Sequence, residues 1–161
     1  MSSVAPPPVT LAPGEIADLD EVMTIMAKAF SAEFGEAWTR SQCAGIMPMH
    51  GVVLTVARDA RTGAIRGFTL ARTVMDEAEL LLIGVDPSSQ REGVGRALLD
   101  HFVTRAMGAS ATRLHLEVRD GNPAIVLYRA CTFEIVGRRR NYYRGLDGRQ
   151  FDALTLVRQS N

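Results

Sequence analysis

Glu79-Leu80-Leu81-Leu82-Ile83-Gly84-Val85-Asp86-Pro87-Ser88-Ser89-Gln90-Arg91-Glu92-Gly93-Val94-Gly95-Arg96 is the stretch from which the fold can be read. Glu79 to Val85 is an apolar run closed by Asp86-Pro87, as expected of a strand covered on both faces and central in a sheet. Beyond the glycines, Val94, Leu98, Phe102 and Met107 recur on one face of a helix that Gly108 can end. Arg113 to Val118 reads as a further strand. Together these make a strand, crossover helix, strand unit.

Working outward, Val9-Thr10-Leu11 is a short strand, and from Ile16 the residues Leu19, Val22, Met23, Met26, Ala29 and Phe30 fall at helical spacing. Thr39-Arg40-Ser41-Gln42 has the form of a capping box, which predicts a second short helix. Gly51 to Arg58 and Ile65 to Val74 are extended stretches joined by turn chemistry at Asp59 to Gly63, hence a hairpin. Downstream, Pro123 to Ala130 is a short helix. Phe133 to Gly137 and Phe151 to Val157 are strands around a turn at Gly145-Leu146-Asp147-Gly148. Residues 1–8 carry three successive prolines and read as a disordered or extended tail, leaving residues 9–161 as a single domain. A chain of 161 residues, 47% of them hydrophobic, suits one core.

Lys plus Arg and Asp plus Glu both number 18, so no net field gathers DNA or an anionic membrane, and neither is an expected partner. The N-terminus lacks a signal-peptide pattern and no segment reaches the ~20 apolar residues of a membrane span. A cytoplasmic protein is expected. Cys43 and Cys131 have neither a CxxC partner nor a nearby histidine, which argues for buried free thiols and against a disulfide or a metal site.

Gln90 to Arg96 lies between a strand and an amphipathic helix, where a helix N-terminus offers free N–H groups and the positive end of its dipole. A pyrophosphate suits that place. Gly93 and Gly95 let backbone approach phosphate oxygens, and Arg91 and Arg96 can add charge-assisted contacts. The alternative is a plain turn capping a surface helix. There is no GxxxxGK[ST], and the third glycine of GxGxxG is Leu98, which speaks against NTP and NAD. The spacing of Gln90, Gly93 and Gly95 resembles the pyrophosphate loop of the GNAT acetyltransferase superfamily, and the order of elements agrees across nearly the whole folded chain. That resemblance implies an α/β fold with a single mixed, mostly antiparallel sheet of about six or seven strands flanked by about four helices. It also implies acetyl-CoA as cosubstrate.

Strand alternation in Leu114 to Arg119 sets His115, Glu117 and Arg119 on one face. An attacking amine must be neutral, and with an α-amino pKa of roughly 8 it needs a base. Glu117 is the candidate, directly or through water, and His115 is the alternative. A purely structural Glu117 would instead pair with Arg119 or Arg139. Tyr128 can protonate a departing thiolate or be a packing residue, and the Val85 N–H can support an oxyanion. Direct transfer in a ternary complex is therefore expected.

Ile83-Gly84-Val85-Asp86-Pro87, Leu116-Glu117-Val118-Arg119, Leu127-Tyr128 and Arg139-Arg140-Asn141-Tyr142-Tyr143 are similar to the bacterial ribosomal-protein-alanine N-acetyltransferases, one branch of that superfamily. The resemblance implies Glu117 as base and Tyr128 as acid. It assigns the backbone of Ile83, Gly84 and Val85 to the acetyl-pantetheine arm, which can pair as an extra strand along a splayed edge. It assigns Arg91, Glu92, Gly93, Val94, Gly95 and Arg96 to the phosphates, with Asn122 as a further cofactor contact. Where that branch carries Asn seven residues before the Tyr, this chain has Gly121, and Cys131-Thr132-Phe133 replaces Leu-Gly-Phe. The implied acceptor is the N-terminal alanine of a small-subunit ribosomal protein or a similar peptide, with Trp38, Tyr142 and Tyr143 bordering its groove and the nearby arginines facing solvent or the ribosomal protein's own surroundings. A monomer or weak dimer is expected. Two other classes compete: a GNAT enzyme for a small amine or antibiotic, and a silent acyl-CoA-binding or RNA-binding module using Arg138 to Arg144. A small-amine enzyme would line its groove with carboxylates, whereas this stretch is basic.

Overall fold

In the computed structural model, which describes residues 9–159, the chain runs β1 (Val9–Pro13), α1 (Leu19–Ala29), α2 (Arg40–Ile46), β2 (Val52–Asp59), β3 (Ile65–Val74), β4 (Glu77–Val85), α3 (Val94–Gly108), β5 (Arg113–Arg119), α4 (Ile125–Ala130), β6 (Glu134–Arg144) and β7 (Gln150–Gln159). The tail expected over residues 1–8 lies outside the described residues. The seven strands form one sheet in the order β1-β2-β3-β4-β5-β7-β6. Every neighbouring pair is antiparallel except β4 and β5, which α3 joins as a parallel crossover. This is the mixed α/β sheet with four helices that the sequence implies.

Helices cover both faces. On one, Leu19, Val22, Ile25 and Met26 of α1 pack with Cys43 of α2 on Leu54, Val56, Phe68, Leu70 and Leu82. On the other, Leu99, Phe102, Val103 and Ala106 of α3 pack with Tyr128 of α4 on Ala78, Leu80, Leu114, Leu116 and Val118. The α2 capping box forms as expected: the Gln42 N–H donates to Thr39 Oγ1 at 3.1 Å, and the Thr39 N–H to Gln42 Oε1 at 2.7 Å.

Two expectations need correction. Met107 is largely exposed, and Leu99, Val103 and Ala106 complete the apolar stripe of α3 instead. The strand expected over Phe133 to Gly137 runs on through the basic stretch to Arg144 as β6, an edge strand that bulges between Arg139 and Tyr143 with Asn141 at φ +53°. The β4 run is central and covered on both faces as expected, and its half-buried Leu81, Ile83 and Val85 also border a cavity. A bulge sets this up: Leu70 pairs with Leu82 but Ala71 with Leu80, so Leu81 has no partner on β3. The extra residue inverts the strand's faces, which puts Leu80 in the α3 core and Leu82 in the α1 core.

Candidate active site

Immediately past that bulge the sheet opens. The β4–β5 ladder runs from Glu77 opposite Arg113 to Leu80 opposite Leu116 and ends there, while β4 stays on β3 and β5 stays on β7. The Asp86 N–H donates to the Arg66 carbonyl at 2.8 Å. By alternation Gly84 also bonds toward β3, and Ile83 and Val85 direct their N–H and C=O groups into the gap. A cavity of about 1000 Å³ occupies the gap. Its walls include Leu116 and Val118 from one face of β5 and Glu117 and Arg119 from the other, so it passes through the sheet.

The loop after β4 closes one end. Ala97 is the first N–H near the start of α3 to find an acceptor, the Gly93 carbonyl at 3.0 Å, so the N–H groups from Arg91 to Arg96 have no hydrogen-bond partner among the described residues. Gly93 caps the helix at φ +84°, a left-handed backbone in which a side chain is strained. A Cβ on Gly95 would lie 3.5 Å from both Val85 and Leu127, narrowing the channel that they line. Gln90, Arg91, Gly93, Gly95 and Arg96 line the cavity. Glu92 and Val94 do not: the Val94 side chain is core, and Glu92 turns toward Arg66, leaving only their backbone N–H groups to face a ligand. Arg96 is held by Asp100 at 3.2 Å, while Arg91 has no charged partner among the described residues.

Behind the loop is a polar network that the sequence reading missed. Asp59, buried at the end of β2, accepts the N–H groups of Arg61 at 2.8 Å and Thr62 at 3.1 Å, and the Arg66 Nε at 2.8 Å. The Arg61 N–H first and the Arg66 guanidinium next hold its carboxyl down at about 2. Arg66 also donates to Ser89 Oγ at 2.7 Å and lies 3.8 Å from Glu92 Oε2.

Side chains build the other end. Glu117 Oε2 accepts from Thr155 Oγ1 at 2.7 Å, and its Oε1 pairs with Arg139 Nε at 3.0 Å. Of its two expected partners, then, Arg139 takes the place. Arg119 pairs instead with Glu36 at 2.6 Å, with both side chains about nine-tenths buried. The Arg119 guanidinium lies 3.6 Å from the centre of the Phe34 ring. Asn122 donates to Glu36 Oε2 at 2.7 Å and accepts the Ala124 N–H at 2.8 Å, so both polar ends of its amide serve the protein although it lines the cavity.

Tyr128 reaches the cavity from α4, and its hydroxyl has no hydrogen-bond partner among the described residues. Burial first, and then the charge of Glu36, push its pKa up and keep it protonated. Tyr143 is shifted the same way, by burial and then by Glu36. Tyr142 meets it edge-on with ring centres 5.0 Å apart, and both line the cavity together with Trp38. His115 lies outside this cavity. It borders a smaller hollow with Arg72, Glu77 and Glu79, where β5 is still paired with β4.

Two arguments about the acceptor change. The arginines of β6 do not simply face solvent, since Arg138 bridges Asp120 at 2.7 Å and Asp152 at 2.9 Å, and Arg139 joins Glu117. Nor is the groove basic: Glu36, Glu79 and Glu117 all line it. Glu36 arrives on the loop between α1 and α2, separated from Arg119 by 83 positions and from Asn122 by 86, which is beyond any local pattern.

Comparison with known proteins places these features in context. The Acetyltransferase (GNAT) family matches residues 19–133. A protein of Escherichia coli K12 named [Ribosomal protein bS18]-alanine N-acetyltransferase is 42% identical over 98 residues, which cover 60% of this chain and 66% of that relative. The chain thus spans just under two thirds of the length of that relative. The N-alpha-acetyltransferase RimI of Mycobacterium tuberculosis is 45% identical over 92 residues, 56% of this chain and 54% of the relative. The crystal structure of the Escherichia coli ribosomal-protein-S18-alanine N-acetyltransferase superposes with a TM-score of 0.82 at 31% identity and covers 94% of each chain.

Proposed function

Because this chain belongs to the GNAT acetyltransferase family, we propose that it transfers the acetyl group of acetyl-CoA to the N-terminal amine of a protein, the N-terminal alanine of a small-subunit ribosomal protein above all. The observation that carries the donor half is the opening between β4 and β5 with unpaired N–H groups at its end. Those from Arg91 to Arg96 take the pyrophosphate, with the Arg91 and Arg96 side chains beside them. The inward edge of Ile83 and Val85 pairs with the amide-bearing arm as an extra strand would, while Gly84 leaves room for the Phe68 ring, which a Cβ there would meet at 2.7 Å. The Val85 N–H stabilises the oxyanion.

Glu117 faces the acceptor side, with Thr155 and Arg139 fixing its oxygens, and removes the proton of the attacking amine directly or through one water. Tyr128, kept protonated and with no hydrogen-bond partner for its hydroxyl among the described residues, donates a proton to the leaving sulfur. Both act in one complex of donor, acceptor and enzyme. Tyr142, Tyr143 and Trp38 border the acceptor chain. Support for a peptide comes from the names of the relatives, which act on a ribosomal protein alanine. Of the three carboxylates in the groove, Glu36 and Glu117 are already neutralised by arginines, so the groove is a poorer cage for a small polycation than their number suggests.

Incubation with acetyl-CoA and a peptide copying the N-terminus of the ribosomal protein, followed by mass spectrometry, tests this reading. Acetylated peptide is expected. No product, beside rapid turnover of a polyamine or an aminoglycoside, would assign the enzyme to small amines.

A further inference from the structure

Glu92 stands among the free N–H groups of the donor loop, between two residues of left-handed backbone, Arg91 at φ +66° and Gly93 at φ +84°. Consecutive N–H groups in such a turn form a concavity for anions. A carboxylate directed into it would repel a pyrophosphate, and the repulsion acts at short range where screening is least. The Glu92 carboxylate is instead withdrawn: its Oε2 is buried, accepts no hydrogen bond from the described residues and lies 3.8 Å from Arg66 NH1.

Arg66 is well fixed for this task. Two of its nitrogens grip Asp59 Oδ2, and Asp59 is itself held by the Arg61 and Thr62 N–H groups. The third reaches Ser89 in the turn between β4 and the loop, and the Arg66 carbonyl takes the Asp86 N–H at the end of β4. One residue on β3 therefore touches both the start of the loop and its one acidic side chain. We propose that Arg66 is a positioning residue of the donor site, holding the Glu92 carboxylate out of the phosphate cradle and fixing the loop through Ser89. The proposal rests on the acetyl-CoA reading above.

Removing Arg66 outright would strand the Asp59 charge in the interior, so the informative variant is Arg66→Lys, which keeps a cation for Asp59 but lacks the fork that grips Asp59 with two nitrogens while the third reaches Ser89 and Glu92. Acetyl-CoA binding is measured by calorimetry, without acceptor, for the wild type, Arg66→Lys, Glu92→Gln and the double variant. Arg66→Lys is expected to weaken binding about tenfold, with Glu92→Gln alone serving as the reference against which the double variant is read. Adding Glu92→Gln to Arg66→Lys restores most of the loss, and in turnover assays the KM for acetyl-CoA rises while the KM for the acceptor peptide holds. A double variant as weak as Arg66→Lys would make Arg66 a mere scaffold residue and overturn the proposal. Wild-type protein that binds no acetyl-CoA would overturn the donor assignment with it, whereas wild-type binding with no loss in Arg66→Lys overturns this inference alone.

Discussion

The two ends of the cleft are made of different materials. At the donor end the working groups are backbone: the inward edge of Ile83 and Val85, and the N–H row from Arg91 to Arg96. At the acceptor end they are side chains held by ion pairs, Glu117 by Arg139 and Glu36 by Arg119. A backbone site tolerates changes of side chain but not of chain path, and a side-chain site the reverse. Substitutions at the two ends should therefore damage different kinetic constants.

The largest effect is expected from Glu117→Gln. The amide keeps the shape and the bond from Thr155 but cannot take a proton, so turnover falls about a thousandfold, within the range for loss of a general base. The acetyl-CoA dissociation constant, read by calorimetry, stays within about twofold. A comparable fall in donor affinity would break the division between the two ends. Gly93→Asp is the reverse probe. It forces a side chain into φ +84° and adds a negative charge at the helix N-terminus. Donor affinity should drop about a hundredfold, from ~1–2 kcal/mol of strain and ~1 kcal/mol of lost dipole complementarity. At saturating acetyl-CoA, kcat should largely recover.

This division also decides what could be read in the sequence. The donor end is contiguous: an apolar strand, two glycines and an amphipathic helix lie within about thirty residues, so periodicity and turn chemistry reach all of it. The face of Glu117 on β5 followed from strand alternation for the same reason. Glu36 was out of reach, because nothing in Phe34-Gly35-Glu36 announces a salt bridge to β5. The Asp59–Arg66–Ser89 network was hidden too: Asp59 looked like ordinary turn chemistry and Ser89 like a linker residue. The Leu81 bulge, which opens the sheet, has no signature in a run of leucines, since register is a property of two strands together. The shift of Asn from the place of Gly121 to Asn122 was visible in the sequence. Its consequence, an amide used to hold Glu36 and to accept the Ala124 N–H, was not.

Glu36→Ala sharpens the comparison from the acceptor side. It leaves the Arg119 charge in a largely buried place, where breaking an ion pair costs ~3–5 kcal/mol; water in the adjoining cavity should reduce this to about 2 kcal/mol. Chemical denaturation measures it. Acetyl-CoA affinity should hardly move, while the KM for the acceptor peptide rises as the loop between α1 and α2 loosens. An unchanged stability would mean that Arg119 finds an equal partner elsewhere, with the Phe34 ring and the Asp120 carbonyl already beside it.

The smallest effect is confined to acid and belongs to the donor end. Asp59 is held at about 2, well below its ordinary value near 3.8, by the Arg61 N–H first and then by Arg66. A carboxyl depressed in the folded state contributes stability that is complete above about pH 4 and is lost as pH falls through the folded value near 2. Melting temperatures between pH 5 and pH 2 should therefore fall more steeply below pH 4 for the wild type than for Asp59→Asn, which has no proton to take up at this position. Over the same window acetyl-CoA affinity of the wild type should weaken, because protonation of Asp59 slackens the grip on Arg66 and hence on Ser89 and Glu92. Equal slopes for the two proteins would mean that the backbone turn at Arg61 and Thr62 holds the network without the charge. The support of the donor loop would then be as much a matter of chain path as the loop itself.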